Sequence, residues 1–235
     1  MDVVVSEPTM CRVLNNVLRL TRKRKTRAAY RKYRPANLQR IKDFELWIEQ
    51  RDAGRIVFID EMGIRAADAE RNYARSRAGE KAVMPGASHC TGERGIKWNF
   101  LAGMNIDGML DCTYVTHEKM NRIVFEDWCE IMLIPAVLDA YPDGGASVVL
   151  DNASFHRRAV LVPLFMEHEI ELAFLPAYSP EYNPIETAFA WIKGFVRRNP
   201  TQSIADIPAA TLRAFAGITP RHCASWFRFS NYIVA

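Results

Sequence analysis

The stretch FLPAYSPEYNPIE, residues 174–186, joins the end of an apolar run to the start of an amphipathic helix and ends on Glu186. The run IELAFLP (170–176) predicts a short buried strand. NPIE is a strong helix start, with Asn183 at the N-cap, Pro184 at the first helical position and Glu186 placed to cap back to Asn183. Ile185, Ala188, Phe189, Ile192, Phe195 and Val196 then recur at helical spacing as a buried stripe. A capping box alone explains Glu186, but it does not require PAYSPEY ahead of it. Pro176, Pro180 and Pro184 each fix a backbone angle, so the helix start is held at a set offset from the strand. Such a lead-in suits a carboxylate that must be placed accurately.

Two other acids share a related setting. RIVFID (55–60) and SVVLDN (147–152) read as short buried strands ending on Asp60 and Asp151. In open α/β sheets, sites form beyond the carboxyl ends of strands, and acids ending neighbouring strands would face one crevice. Taken singly, each Asp is equally well read as a turn former or helix cap. Residues 97–116 read as a hairpin turning at Asp107-Gly108, and 122–141 as a helix kinked at Pro135. A helix is expected near 157–168, and two or three more close the chain. The order predicts an α/β fold, a mixed sheet flanked by helices.

Charge is unevenly spread over the 235 residues. Residues 1–40 carry eleven Lys or Arg against two acids, a net +9; the remainder is −5, for +4 in all. A basic arm on a mildly acidic body suggests an anionic partner for the arm, although a solvated tail has the same composition. Residues 6–20 predict a short helix with Ser6 as N-cap, residues 21–35 a basic linker, and residues 36–52 a second amphipathic helix closed by Gly54. The five cysteines are scattered without CxxC spacing, which points to reduced thiols in an intracellular protein and away from a zinc module. No apolar stretch approaches a membrane span, and no membrane partner is expected.

If Asp60, Asp151 and Glu186 converge, their charges need compensation. Two unit charges about 4 Å apart repel by roughly 4 kcal/mol at an effective dielectric near 20. Oxygen donors without a Cys or His cluster suit Mg²⁺ or Mn²⁺. Two such ions serve phosphodiester chemistry by activating the attacking oxygen and stabilising the leaving one.

FIDEMGIR, VVLDNASFH and FLPAYSPEYNPIE together resemble the three catalytic motifs of DDE transposases, nearest to the mariner-like superfamily and its bacterial insertion-sequence relatives. Asp151 and Glu186 are 35 positions apart, a spacing typical of one branch of that superfamily. The likeness covers roughly residues 55–200. It implies an RNase H-like fold and metal-dependent cleavage of DNA at transposon terminal repeats, followed by joining to target DNA. It implies Asp60, Asp151 and Glu186 as catalytic metal ligands with two Mg²⁺ or Mn²⁺ ions, and Asn152, His156 and Asn183 as supports of the site. His156 matches the second motif and reads as a hydrogen-bonding residue at the next helix start, with DNA contact as the alternative. Tyr178 and Ser179 read as loop-stabilising. The basic linker (Arg22, Lys23, Arg24, Lys25, Arg27, Arg31, Lys32, Arg34) and, further along the last-motif helix, Lys193 and Arg197 are the expected DNA contacts.

The likeness also divides the chain. Residues 1–34 correspond to the remnant of a helix-turn-helix module plus basic linker, and residues 35–235 to the catalytic domain. The expected N-terminal modules are not fully represented, so a truncated transposase is expected, acting with DNA as a homodimer. Its location would be the bacterial cytoplasm and nucleoid or the eukaryotic nucleus. Two alternatives remain open, a catalytically silent remnant that only binds DNA and a hybrid nuclease or junction resolvase on the same fold; a two-carboxylate glycosidase fails on the basic arm and on the lack of a traceable Trp- and Tyr-lined acidic cleft.

Overall fold

The computed structural model describes residues 6–21, 30–69, 75–83, 96–153, 155–199 and 203–233. The chain separates into two compact units, Met1–Tyr30 and Arg31–Ala235. In the first, helix α1 (Glu7–Arg12) runs on into a π turn, Val13–Val17. The Ser6 hydroxyl pairs with that of Thr9 at 2.9 Å and caps no backbone N–H. The predicted apolar stripe of this helix (Met10, Val13, Leu14, Val17 and Leu18) is exposed.

The second unit opens with α2 (Pro35–Glu49). This helix ends earlier than the sequence suggests, because Asp52 turns the chain by accepting from the Gly54 N–H at 2.8 Å. A five-stranded mixed sheet follows, built from β1 (Ile56–Arg65), β2 (Lys97–Met104), β3 (Tyr114–Thr116), β4 (Ser147–Leu150) and β5 (Glu171–Phe174) in the order β3-β2-β1-β4-β5. β1 pairs antiparallel with β2 and parallel with β4, and β4 pairs parallel with β5. Val148, Val149 and Leu150 lie between β1 and β5 and are fully buried, as an uninterrupted apolar run in a parallel strand requires.

β1 is longer than the sequence suggests. Its pairing with β4 stops at Phe58↔Val149, yet its pairing with β2 continues from Phe58↔Met104 to Arg65↔Lys97. Asp60 therefore lies inside β1, at the level where β4 ends, and does not terminate a strand. The apolar IVFI and the alternating DEMGIR belong to one ten-residue strand because β2 goes on pairing with its second half after the pairing with β4 has ended.

Helices cover both faces of the sheet. One face holds Ile56, Phe58, Met62 and Val149 under α2, the short α3 (Ala66–Ala69), α7 (Pro184–Arg198), α8 (Ile207–Ala216) and α9 (Pro220–Phe229). The other holds Val57, Ile59, Val148 and Leu150 against α4 (Arg122–Trp128), α5 (Ile134–Ala140) and α6 (Arg158–Met166). Between α4 and α5 a π turn, Cys129–Leu133, takes up the irregularity expected at Pro135, whose ring and missing N–H do not fit a regular turn. The Asp107-Gly108 turn is present, held by the Asn105 side-chain oxygen accepting from both N–H groups at 2.9 and 3.0 Å.

Candidate active site

Strand parity places two of the three acids. Alternate residues of a strand point to opposite faces, and Phe58 and Val149 both belong to the core under α7. Two residues on from this registered pair, Asp60 and Asp151 continue the same rows towards the same face. Glu186 comes from the first turn of α7, which packs on that face through Ile185, Ala188, Phe189, Ile192 and Val196; Phe195 is only partly buried. Asp60, Asp151, Asn152, Asn183 and Glu186 line one open cleft of about 400 Å³, walled by Leu175, Pro176, Ala177, Tyr178, Ser179 and Pro180.

The expected capping box is not formed. Asn183 occupies the N-cap position of α7 without a side-chain cap. Its amide instead donates to Oδ2 of Asp60 at 3.0 Å. The other atom of that amide, Oδ1, is buried in the cleft wall and has no hydrogen-bond partner among the described residues. The Asp60 carboxyl takes the amide N–H, and the side chain turned towards β1 leaves its oxygen off the α7 N–H groups. Glu186 is left exposed to the cleft.

Electrostatics at the site are those of acids gathered without a cation. Burial, then the negative charge of Glu186, push the Asp60 carboxyl up to about 7, with Asp151 and Glu61 adding to the effect. The Glu61 backbone N–H, 2.7 Å from Oδ1, only partly opposes this. Asp151 moves the other way. Burial works against its charge, but His156 and the Ala153 N–H outweigh burial and hold the carboxyl below its ordinary value. His156 Nδ1 lies 3.0 Å from Asp151 Oδ1 and 3.1 Å from its carbonyl oxygen. The ring is 5% exposed and sits between Phe125 and Phe155, with centroids at 4.2 and 4.4 Å. It therefore supports Asp151 from within and is closed to a ligand. Asn152 donates to the Leu175 carbonyl, tying the end of β4 to the end of β5. Among the described residues, no three His, Cys, Asp or Glu side chains are gathered closely enough to hold one ion. The three acids share a cleft, and their mutual repulsion shows in the raised Asp60 carboxyl.

Two supports carry no sequence signal. Asn37 of α2 is buried; its amide donates to the Ala177 carbonyl at 2.9 Å and accepts from the Ala177 N–H at 3.1 Å. Tyr182 donates to Glu45 of α2 and accepts at its carbonyl from the Tyr232 hydroxyl. The proline-rich loop is thus fastened at both ends to other elements. Tyr178 takes a left-handed backbone (φ 57°) and is half-exposed, while Ser179 is buried and donates to Ala177. Of the basic candidates, Arg22, Lys23, Arg24, Lys25 and Arg27 lie outside the described residues. Lys32 is ion-paired with Glu181, Arg31 and Arg34 are exposed, and Lys193 and Arg197 stand on α7, half-buried and exposed respectively.

A five-stranded mixed sheet between helical layers, with acids beside the end of its central parallel strand, is the RNase H-like nuclease architecture. The family model of the DDE superfamily endonucleases matches residues 55–207, and the chain belongs to that family. Among solved structures, the chain is similar to the Mos1 transposase paired-end complex with the left transposon end, at TM-score 0.69 and 16% identity, covering 94% of this chain and 69% of that one. The Mos1 mariner paired-end complex with Mn gives TM-score 0.69 and 18% identity, covering 94% and 66%. The isolated Mos1 catalytic domain gives 0.56 and 14%, covering 89% and 91%. No curated protein matches the chain.

Proposed function

We propose that this chain cleaves DNA strands with divalent metal ions held by Asp60, Asp151 and Glu186, as a transposase that then joins the freed ends to target DNA. The observation that carries the reading is the meeting of these acids, from β1, the end of β4 and the start of α7, in one cleft. Their donor chemistry fits Mg²⁺ or Mn²⁺: hard oxygen atoms, an Asp60 carboxyl pushed up to about 7 by burial and by Glu186, whose charged form a neighbouring cation would favour, and an Asn183 oxygen in the wall that has no partner among the described residues. When bound, such ions polarise the phosphodiester and lower the pKa of the attacking water or 3′-hydroxyl. The chain's own part is positional. Asn183 holds Asp60, His156 holds Asp151, and Asn37 with the prolines holds the loop that leads to Glu186. The Mos1 structures of similar fold were determined with transposon ends and with Mn or Mg, which supports DNA and a divalent ion as partners here. Two ions per site, pairing of two ends by a homodimer, contact of DNA with the basic linker, Lys193 and Arg197, and a location with the nucleoid or in the nucleus complete the proposal.

The alternative reading is binding of DNA without cleavage. Nicking of supercoiled plasmid in Mn²⁺ separates the two. The proposal expects nicking by the wild type that EDTA and Glu186→Gln both abolish. Equal behaviour of two folded proteins would leave only DNA binding.

A further inference from the structure

The sheet ends on β5, and among the described residues no strand lies beyond it. The pairing with β4 shows which backbone groups are left over. Glu171 donates its N–H to the Ala146 carbonyl at 3.1 Å, and Leu175 donates to the Leu150 carbonyl at 2.9 Å. Residues 171, 173 and 175 therefore face β4. Successive residues of a strand turn their backbone groups to opposite sides, so Leu172 and Phe174 present N–H and C=O along the outer edge. The strand, ELAF, has none of the usual guards of an open edge. It holds no Pro or Lys, its register with β4 is unbroken, and its one charge, Glu171, is taken up by Arg51, Trp47 and Ser147.

A groove of about 670 Å³ runs along this edge. One wall is α2, with Trp47 on the side of the sheet that carries Ala173. The other is Phe174 with the Arg158 guanidinium 3.9 Å above its ring. Asp43 accepts from Gln39 at 2.8 Å, whereas the exposed Arg40 and Arg158 have no ion-pair partner among the described residues. With Glu171 matched by Arg51, the two arginines outweigh Asp43. Unused main-chain groups call for an extended peptide, and the charge calls for an acid on it. A second copy of β5, paired about a two-fold axis, would bring another Arg158 to the same face and set like charges together.

We propose that the outer edge of β5 takes an extended segment of a different protein as an added strand. Its acidic side chain would meet Arg158 and its apolar one Trp47. Leu175 and Pro176 also line the groove, so the partner would sit next to the carboxylate cleft. The inference goes beyond the DNA-cleaving reading and does not depend on it.

The test uses the whole chain without DNA or metal. The probe is a fluorescein-labelled alternating Val-Glu peptide of about eight residues, long enough for one strand. An alternating Val-Lys peptide is the charge control. The wild type is expected to bind the first about fivefold more tightly, as one exposed ion pair supplies. Arg158→Glu, an exposed change at the first residue of α6, should reverse that preference. With the Val-Glu peptide at about ten times its Kd, amide exchange at Leu172 and Phe174 should slow about tenfold. Exchange along β3, the opposite edge of the sheet, should not change. Failure of both peptides to bind, an unchanged preference in Arg158→Glu, or binding that leaves Leu172 and Phe174 exchanging as before would overturn the proposal. So would protection of these amides that grows with protein concentration in the absence of peptide, since the edge would then belong to a second copy.

Discussion

Asn183 donates its amide N–H to Oδ2 of Asp60 at 3.0 Å, linking the start of α7 to the middle of β1 across 123 positions of sequence. The bond fixes where one carboxylate stands relative to the helix that presents another. It also identifies Asn183 as a positioning residue, since a helix cap would have used its side chain on α7.

Asn183→Ala should therefore lower the Mn²⁺-dependent nicking rate by about 10- to 100-fold, the usual cost of losing a partner to a metal-holding side chain. Stability should fall by only about 1 kcal/mol, because the amide has one unmatched atom already. The Mn²⁺ concentration giving half-maximal rate should rise. A merely structural role would shift the urea midpoint and leave that concentration unchanged.

His156 is a buried ring that fills space as well as holding Asp151. His156→Ala removes its contacts with Phe125 and Phe155 and the bond to Oδ1 together. A loss of about 2–4 kcal/mol is expected from the cavity and the lost hydrogen bond. His156→Asn, which keeps a donor but not the ring, should regain only part of it. Urea denaturation of the two variants measures the difference, and equal midpoints for both and the wild type would contradict the packing.

Glu171 gives a pH-dependent prediction well away from the cleft. It accepts from Arg51 at 2.8 and 3.0 Å, from Trp47 at 3.0 Å and from Ser147 at 2.8 Å, tying α2 to the parallel edge of the sheet. The Arg51 hydrogen bonds lead in holding its carboxyl down to about 2, against the opposing effect of burial. The folded value lies below the unfolded one, so the stabilisation is complete above about 4.5 and is lost as pH falls through about 2. With the side chain 41% exposed, solvent screening limits it to about 1 kcal/mol. Glu171→Gln should thus be less stable at pH 7 by that amount, with the two urea curves converging below pH 4. A gap undiminished at pH 2 would assign the effect to shape instead of charge.

The inner strands of the sheet were legible because a buried strand needs an unbroken apolar run, which IVFI and VVL supply, while ELAF forms a partly buried edge strand. The rigid loop before Glu186 was legible from its prolines. What escaped depends on partners far away in sequence. The capping box was the best local use of Asn183 and Glu186, but a buried carboxylate on β1 competes for the amide and wins. β1 passes through Asp60 because β2 offers it eight partners, which no local pattern announces. Asn37 and Asn99 each bond to a backbone group on a different element, so neither carries a spacing that a sequence could display.

Asn37 gives the sharpest test of how the proline-rich loop is held. Its amide matches both backbone groups of Ala177, as a neighbouring strand would, and donates also to the Lys32 carbonyl at 3.0 Å. Replacing it with Leu keeps the volume and leaves the Ala177 N–H without that partner, while Ser179 still reaches the carbonyl at 3.3 Å. A buried unmatched donor plus the lost bonds amounts to roughly 2–4 kcal/mol. The loss should be local as well as global, since Pro176, Pro180 and Pro184 stiffen the loop but do not anchor it. Hydrogen exchange should therefore quicken across residues 177–183 well before it does in β4. Asn37→Asp, which can accept from the Ala177 N–H but not donate to its carbonyl, should lie between the wild type and the leucine variant. Unchanged exchange in the loop of Asn37→Leu would mean that the prolines alone hold Glu186 in place.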